Sequence, residues 1–385
     1  MAAQTTPTRS RPRVVMVANC PLPYHTPILN CLARRVDLRV IYMSRVHPLA
    51  GSRDGSGAHH DAWGEPPEFR YEYHRSVAIR FRLSDFRTQM SFGVSARLER
   101  LRPDVVFFSS WGPLMLEPLA WRLARGRRVV MWAESTAWSG LLRGRMSQLA
   151  RRLLLGRIDA FVANGSHAAA FLRQIGVPDD RVVVSCLPSA LSVRPISSEA
   201  AGPPCVRRFL FVGRLIELKR PLELIAAFIR LHDTVPDARL TIVGDGPLLE
   251  TARRAAEPAG DVITFTGRLE GAALAVTLAG ADALVIPSRR EVWGLVVNEA
   301  LAAGLFVIAT DRVASAADLL DRDSGLIVAA DDPGALPDAL VSAARSVAAD
   351  PAARARRAER VRHCTPDAFA AAIERAVHVA LATEA

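Results

Sequence analysis

Phe209-Leu-Phe-Val-Gly213-Arg214-Leu-Ile-Glu-Leu-Lys219 is the stretch from which the chain is best read. A short apolar, β-favouring run is followed directly by glycine, and Lys219 falls where the next helix begins. Glycine at a strand end lets the backbone approach an anion, and a helix start offers amide donors to it. Arg214 and Lys219 add two cations. Lys219 is also the single lysine of a chain with 49 basic residues. Where nearly every cation is arginine, a retained ammonium marks a place that wants a compact point charge with rotatable donors, as a phosphate does.

Outward from this stretch, short apolar runs alternate with longer helical patterns, the signature of parallel sheets wrapped by helices. In the first half, strands are expected at 14–18, 38–42, 105–109, 129–132, 160–163 and 182–185, with helices at 27–34, 114–125 and 166–175. Residues 44–68 break the rhythm and read as a long loop. Prolines, serines and a Gly-Pro-Pro make 188–204 a domain linker. Strands then resume at 209–212, 240–243, 263–265, 283–286, 306–309 and 326–328. The expected division is a flexible tail at 1–12, a domain at 13–190, a linker at 191–204, a second domain at 205–364 and a C-terminal helix at 365–385 that packs back on the first domain. Two parallel α/β domains leave a cleft, and ligands of such sheets lie outside the carboxyl ends of the strands.

The totals narrow the function. The 385 residues suffice for two domains, and 50% apolar with 23% charged residues is the composition of a globular enzyme. A net charge of +10 permits nucleic-acid binding, but the arginines are dispersed and aromatics are only 6%, so no basic-aromatic platform exists and no nucleic-acid partner is expected. Cys20, Cys31, Cys186, Cys205 and Cys364 are widely separated and odd in number, which indicates neither a disulfide framework nor a zinc site. A cytoplasmic location is expected, with peripheral contact at the inner face of the membrane admitted by an apolar stripe of Leu142, Met146, Leu149 and Leu153.

A second strand, loop and helix surrounds Val285-Ile-Pro-Ser-Arg-Arg-Glu291-Val-Trp-Gly294-Leu295-Val296-Val-Asn-Glu299. Eight residues at a largely helical rise set Glu291 and Glu299 roughly 10 Å apart, so they cannot share a proton. That disfavours a paired-carboxylate hydrolase and suits a ligand with hydroxyls at two ends. Asp179-Asp180 and Asp331-Asp332 stand beside prolines, where aspartate serves turns, so no metal site and no cofactor is expected.

These motifs, with Gly244-Asp-Gly-Pro247 and Phe265-Thr-Gly267-Arg268 between them, resemble those of the retaining family-4 glycosyltransferases of the GT-B fold, in which two Rossmann-like domains face each other across a cleft. The likeness is dense over 209–328 and faint before it. It implies that Arg214 and Lys219 hold a diphosphate beside Gly213, and that Glu291 contacts the transferred sugar. It further implies that Glu299 binds the ribose, that Gly294, Leu295 and Val296 offer backbone amides, and that Arg268 and Leu269 flank the base. In the first domain the loop Asn19-Cys-Pro-Leu-Pro-Tyr24-His25 lacks the glycines of many relatives, which makes Tyr24 and His25 candidates for acceptor contacts. Glu134, after the fourth strand, either binds the acceptor or caps the helix that follows. The implied activity is transfer of a hexosyl group from a nucleoside diphosphate sugar, UDP-linked by family habit, to a glycan, lipid-linked or small-molecule acceptor. A nucleotide-sugar epimerase and a non-catalytic nucleotide-sugar-binding protein are the alternatives.

Overall fold

A computed structural model describes residues 11–45, 65–74, 76–80, 87–109, 115–137, 153–193 and 205–382. The tail at 1–10, most of the 44–68 loop, most of the apolar stripe at 142–153 and part of the linker lie outside the described residues.

The chain forms two parallel sheets. The first contains β1 (Arg13–Ala18), β2 (Asp37–Tyr42), β3 (Arg70–Tyr73), β6 (Val105–Ser109), β7 (Arg128–Ala133), β8 (Ala160–Asn164) and β9 (Val182–Ser185), in the order β3-β2-β1-β6-β7-β8-β9. The second contains β10 (Arg208–Val212), β11 (Arg239–Val243), β12 (Ile263–Gly267), β13 (Ala283–Ile286), β14 (Phe306–Thr310) and β15 (Gly325–Val328), in the order β12-β11-β10-β13-β14-β15. β4 (Ser76–Arg80) and β5 (Arg87–Ser91) pair separately as an antiparallel ribbon. In each large sheet the order reverses beside its first strand, between β1 and β6 and between β10 and β13. Those are the crevices where ligands of doubly wound sheets bind.

Both faces of each sheet are covered, which is why the strands read as continuous apolar runs. Alternate residues of β1 serve different cores. Val14 and Met16 meet Ile28 and Leu29 of the helix His25–Ala33 and Phe369 and Ile373 of the helix Pro366–Ala382. Val15 and Val17 join Val94, Leu98, Leu119 and Phe171 on the opposite face. In the second sheet Phe209 and Phe211 pack with Phe228 and Leu340, while Leu210 and Leu284 face Leu301 and Leu305. Two buried aspartates repeat one device. Asp159 accepts from Val129 N and from Arg122, and Asp282 accepts from the amide nitrogens of Arg207 and Arg208 and from the Arg208 guanidinium. Each pins the start of a neighbouring strand with a charge-assisted bond.

The C-terminal helix Pro366–Ala382 lies on the first sheet against the helix His25–Ala33, where Arg35 binds Glu374 and Asp367 at 2.9 Å each. Among the described residues no helix is long and apolar enough to cross a membrane. The ribbon β4–β5, β3 and the helix Val94–Leu101 were not legible in the sequence, because their polar, arginine-rich segments lack the apolar runs that mark the central strands.

The cysteine expectation is corrected. Cys186 and Cys364 form a disulfide across 178 residues of sequence, leaving Cys20, Cys31 and Cys205 free. Spacing could not show it, because the two thiols meet only after the chain has built the second sheet and returned to the first.

The sheets touch through their carboxyl edges. Gly165, at φ +72°, opens the helix Gly165–Gln174 after β8, and Asp318 of the second domain accepts from Ser166 N at 2.9 Å. A Cβ at Gly165 would lie 2.0 Å from the Asp318 carboxylate and 2.5 Å from the Trp293 ring. Gly165→Ala therefore combines left-handed strain with an interdomain clash, and is expected to cost about 1–3 kcal/mol in urea-unfolding midpoints. An unchanged midpoint would show that the contact yields without cost.

Candidate active site

The sequence motifs fall on loops at the carboxyl ends of the strands. After β10 the chain turns at Gly213, passes the exposed Arg214, and makes a single 3-10 turn at Glu217–Lys219 before the helix Pro221–His232. Two neighbouring loops hold this segment in place. Gly213 N donates to Val243 O at 3.0 Å, Leu215 N to Asp245 O at 2.9 Å, and Leu248 N to Leu215 O at 3.0 Å. This packing explains the glycines of Gly244-Asp-Gly246. A Cβ at Gly244 would stand 1.9 Å from Gly213 O, and one at Gly246 2.5 Å from Leu215 O. They are there to let backbone approach backbone.

After β13 the loop brings Glu291 to a lone bridge with Val313, its amide donating to Arg312 O at 2.9 Å. Gly294 then takes φ +94° to open the helix Leu295–Ala302. The space at Gly294 is tight, with Glu291 Cγ and Val313 Cγ1 each 3.1 Å from where a Cβ would sit. The structure thus places Leu295 and Val296 in the first turn of this helix, directly after the loop carrying Glu291.

The Lys219 ammonium is hydrogen-bonded to the Glu291 carboxylate, joining the loops after β10 and β13. Both side chains are mostly buried, at 19% and 18% exposure, so this contact is screened far less than a surface pair. Arg289 N donating to Leu218 O at 2.9 Å draws the same two loops together. Glu299 has a different partner, since the Ser189 hydroxyl donates to its Oε1 at 2.6 Å. Burial pushes the Glu299 carboxyl above its ordinary range, and the Ser189 bond partly offsets that. The two acids therefore sit in separate environments. Next to Glu299, Asn298 accepts from Trp293 Nε1 at 3.0 Å and donates to Leu187 O at 3.1 Å, so the helix carrying Glu299 is tied to the chain leaving β9. Arg268 and Leu269 follow β12, with Arg268 exposed and paired to Glu270.

The first sheet brings a second group together. Tyr24 and His25 follow β1, and Glu134 follows β7. Sequence reading placed His25 in a loop, but it is the first residue of a helix and only 3% exposed. Its ring lies 4.8 Å from Trp132 and 4.6 Å from Tyr24, and neither ring nitrogen has a hydrogen-bond partner among the described residues. Burial pushes its pKa down to about 3, so the imidazole is neutral wherever the protein is folded at ordinary pH. Burial also raises the Tyr24 phenol well above its usual range, with the nearby Glu134 charge adding to the effect. Glu134 is pushed up to about 7 by burial, and the Asn164 amide beside it offsets part of the shift. A carboxyl poised there exchanges its proton near neutrality.

Asn164 and Trp132 were not singled out from the sequence. Trp132 Nε1 donates to Asn164 Oδ1 at 2.7 Å, linking the ends of β7 and β8. The register pairs Trp132 with Val162, so Asn164, two residues on, shares its face. The signal was an asparagine ending an apolar strand, which local reading assigns to a helix start. Asp179 binds Arg173, Asp331 binds Arg312, and Asp332 accepts from Gly334 N, as turn-forming aspartates do.

Known proteins resemble the chain in sequence and in fold. The family model for glycosyl transferases group 1 matches residues 206–346, and that for glycosyltransferase family 4 matches residues 28–186. The chain is 30% identical over 291 residues to the phosphatidyl-myo-inositol mannosyltransferase of Mycobacterium leprae, covering 73% of this chain and 75% of that protein. It is 28% identical over 251 residues to the sulfoquinovosyl transferase SQD2 of Arabidopsis thaliana, covering 60% of this chain and spanning about half, 47%, of that relative's length. The solved structure of Anabaena Alr3699/HepE in complex with UDP superposes with a TM-score of 0.63 at 14% identity, covering 95% of this chain and 97% of that one. With its two facing parallel sheets and motif loops at their carboxyl edges, the chain belongs to the group 1, family 4 glycosyltransferases of the GT-B fold.

Proposed function

We propose that the protein transfers a hexosyl group, with retention at the anomeric carbon, from a nucleoside diphosphate sugar to a hydroxyl of a glycan, glycolipid or small polyol. UDP is the first candidate nucleotide, and the UDP-bound Anabaena relative of the same fold supports testing it first. The acceptor named in the Mycobacterium leprae relative makes a lipid-linked polyol the first acceptor class to test. The observation that carries this reading is the Lys219–Glu291 pair, a cation and a carboxylate brought together from the loops after β10 and β13, the latter loop leading into the helix Leu295–Ala302.

Cleavage of the sugar–phosphate bond leaves positive charge on the sugar and negative charge on the diphosphate. Lys219, with Arg214 on the same loop, stabilises the departing oxygens more than the ground state, since an ion pair at 4 Å is worth about 4 kcal/mol at an effective dielectric near 20. Glu291 accepts hydrogen bonds from the hexose and Glu299 from the ribose, two hydroxyl-bearing ends of one donor. The acceptor attacks on the face the diphosphate leaves, and a leaving phosphate oxygen takes its proton, so no protein nucleophile is required. Glu134, with Tyr24 and Asn164, orients the acceptor hydroxyl. Lys219, held by Glu291, and the exposed Arg214 on the same loop supply the charge that a divalent metal would, so transfer is metal-independent.

Lys219→Ala is expected to lower kcat by about 100-fold or more. Glu299→Ala is expected chiefly to raise the donor KM, by about 10- to 100-fold for the loss of charge-assisted hydrogen bonds. Steady-state kinetics with UDP- and GDP-hexoses check both, and normal transfer by both variants would refute the assignment. EDTA is expected to leave turnover unchanged, and its abolition would show a required cation.

The Glu134 pKa, about 7 against 4.5 unperturbed, makes folding favour the protonated form. Its stabilising effect is complete below the unperturbed value and is lost as pH rises through about 7. Glu134→Gln should therefore remove that decline from urea midpoints and weaken acceptor binding. A variant with the wild-type pH profile and acceptor KM would remove Glu134 from the site.

A further inference from the structure

The chain passes between the sheets twice. It leaves β9 at Cys186 toward β10, and it returns between the helix Pro351–Glu359, which packs on the helix Leu295–Ala302, and the helix Pro366–Ala382 on the first sheet. Cys186 and Cys364 stand one on each crossing, and their disulfide ties the crossings together. Both cysteines are partly exposed at the edge of the core they pack against. Two surroundings suit exchange. His363 Nε2 lies 3.5 Å from Cys364 Sγ, where an imidazole favours a departing thiolate, and Asn298 Nδ2 donates to Cys186 Sγ at 3.6 Å. From that sulfur a short path leads to the donor side. Asn298 adjoins Glu299, and Ser189, three residues beyond Cys186, holds Glu299.

We propose that Cys186 and Cys364 form a reversible thiol–disulfide clamp on the two interdomain crossings, closed in the disulfide state and released by low-molecular-weight thiols. In release, a thiolate attacks Cys186 Sγ, the S–S bond breaks, and Cys364 leaves as a thiolate beside His363 and takes a proton. A second thiol attacks the external sulfur of the mixed disulfide, forming the external disulfide and freeing Cys186, which is protonated in turn. Two thiols are oxidised to one disulfide, and the protein disulfide is reduced to two thiols. The disulfide state holds Ser189 on Glu299 and preorganises the nucleotide side, and the reduced state loosens it. This last consequence rests on the reading of Glu299 as a ribose ligand.

The test equilibrates full-length protein in glutathione buffers from reduced to oxidised, traps thiols with iodoacetamide, and follows intact mass and amide hydrogen exchange. Reduced protein is expected to take two more alkyl groups than oxidised protein, reversibly. Amides at 187–193 and 361–369 should then exchange about ten-fold faster or more, as local opening becomes easier. Cys364→Ser should match reduced wild type in amide exchange in every buffer, while taking one alkyl group fewer. A pair that never interconverts, or exchange rates equal in both states, overturns the clamp. UDP and GDP titrations read the donor side separately. A Kd raised about three-fold or more on reduction supports the coupling. Failure of both nucleotides to bind either state overturns the donor assignment, while the thiol and exchange results still decide the clamp.

Discussion

A single ammonium held against a carboxylate organises the candidate site. Lys219 and Glu291 reach each other from loops after β10 and β13, the two strands that flank the reversal of strand order in the second sheet. The loops diverge there to opposite faces of the sheet, so whatever spans the gap must be long enough to cross it and charged enough to stay. A four-carbon stem ending in a compact cation meets both needs, and partial burial keeps the attraction from being screened. The backbone contacts around Gly213, Gly244 and Gly246 then fix the lysine-bearing loop to its neighbours.

The two halves of the molecule play different physical parts. The second domain offers cations, amides and carboxylates on rigid strand-to-helix turns, a surface suited to a charged and hydroxyl-rich ligand. The first domain presents a drier crevice, where His25 is neutral, Tyr24 stays protonated and Glu134 lies near its midpoint at pH 7. Desolvation, not a neighbouring charge, leads each of these shifts. That contrast fits a division of labour between donor and acceptor sides.

Much of the architecture was legible because parallel strands buried on both faces leave long apolar runs. The twelve strands anticipated from such runs all exist, with ends moved by two residues at most. The helix opening after Gly294 was legible too, since glycine before a helix is a local signal. Less was legible where burial reverses a residue's usual character. His25 reads as a loop polar residue, yet its loop is cut short and the ring is folded onto Trp132. Trp132 and Asn164 were not singled out, because only the β7–β8 register puts them on one face.

By itself, the sequence determined the alternation of strands and helices and the local motifs that set Gly213, Lys219, Glu291 and Gly294 on strand-to-helix loops and Glu299 on the helix that follows. Periodicity, turn chemistry and charge type act over a few residues and leave their mark there. Only the tertiary structure decided the Ser189–Glu299 bond, the Asp318 carboxylate at the Ser166 amide, and the Cys186–Cys364 bridge, whose partners lie 110, 152 and 178 residues apart. Such contacts arise from how two domains meet, and no local pattern carries that distance.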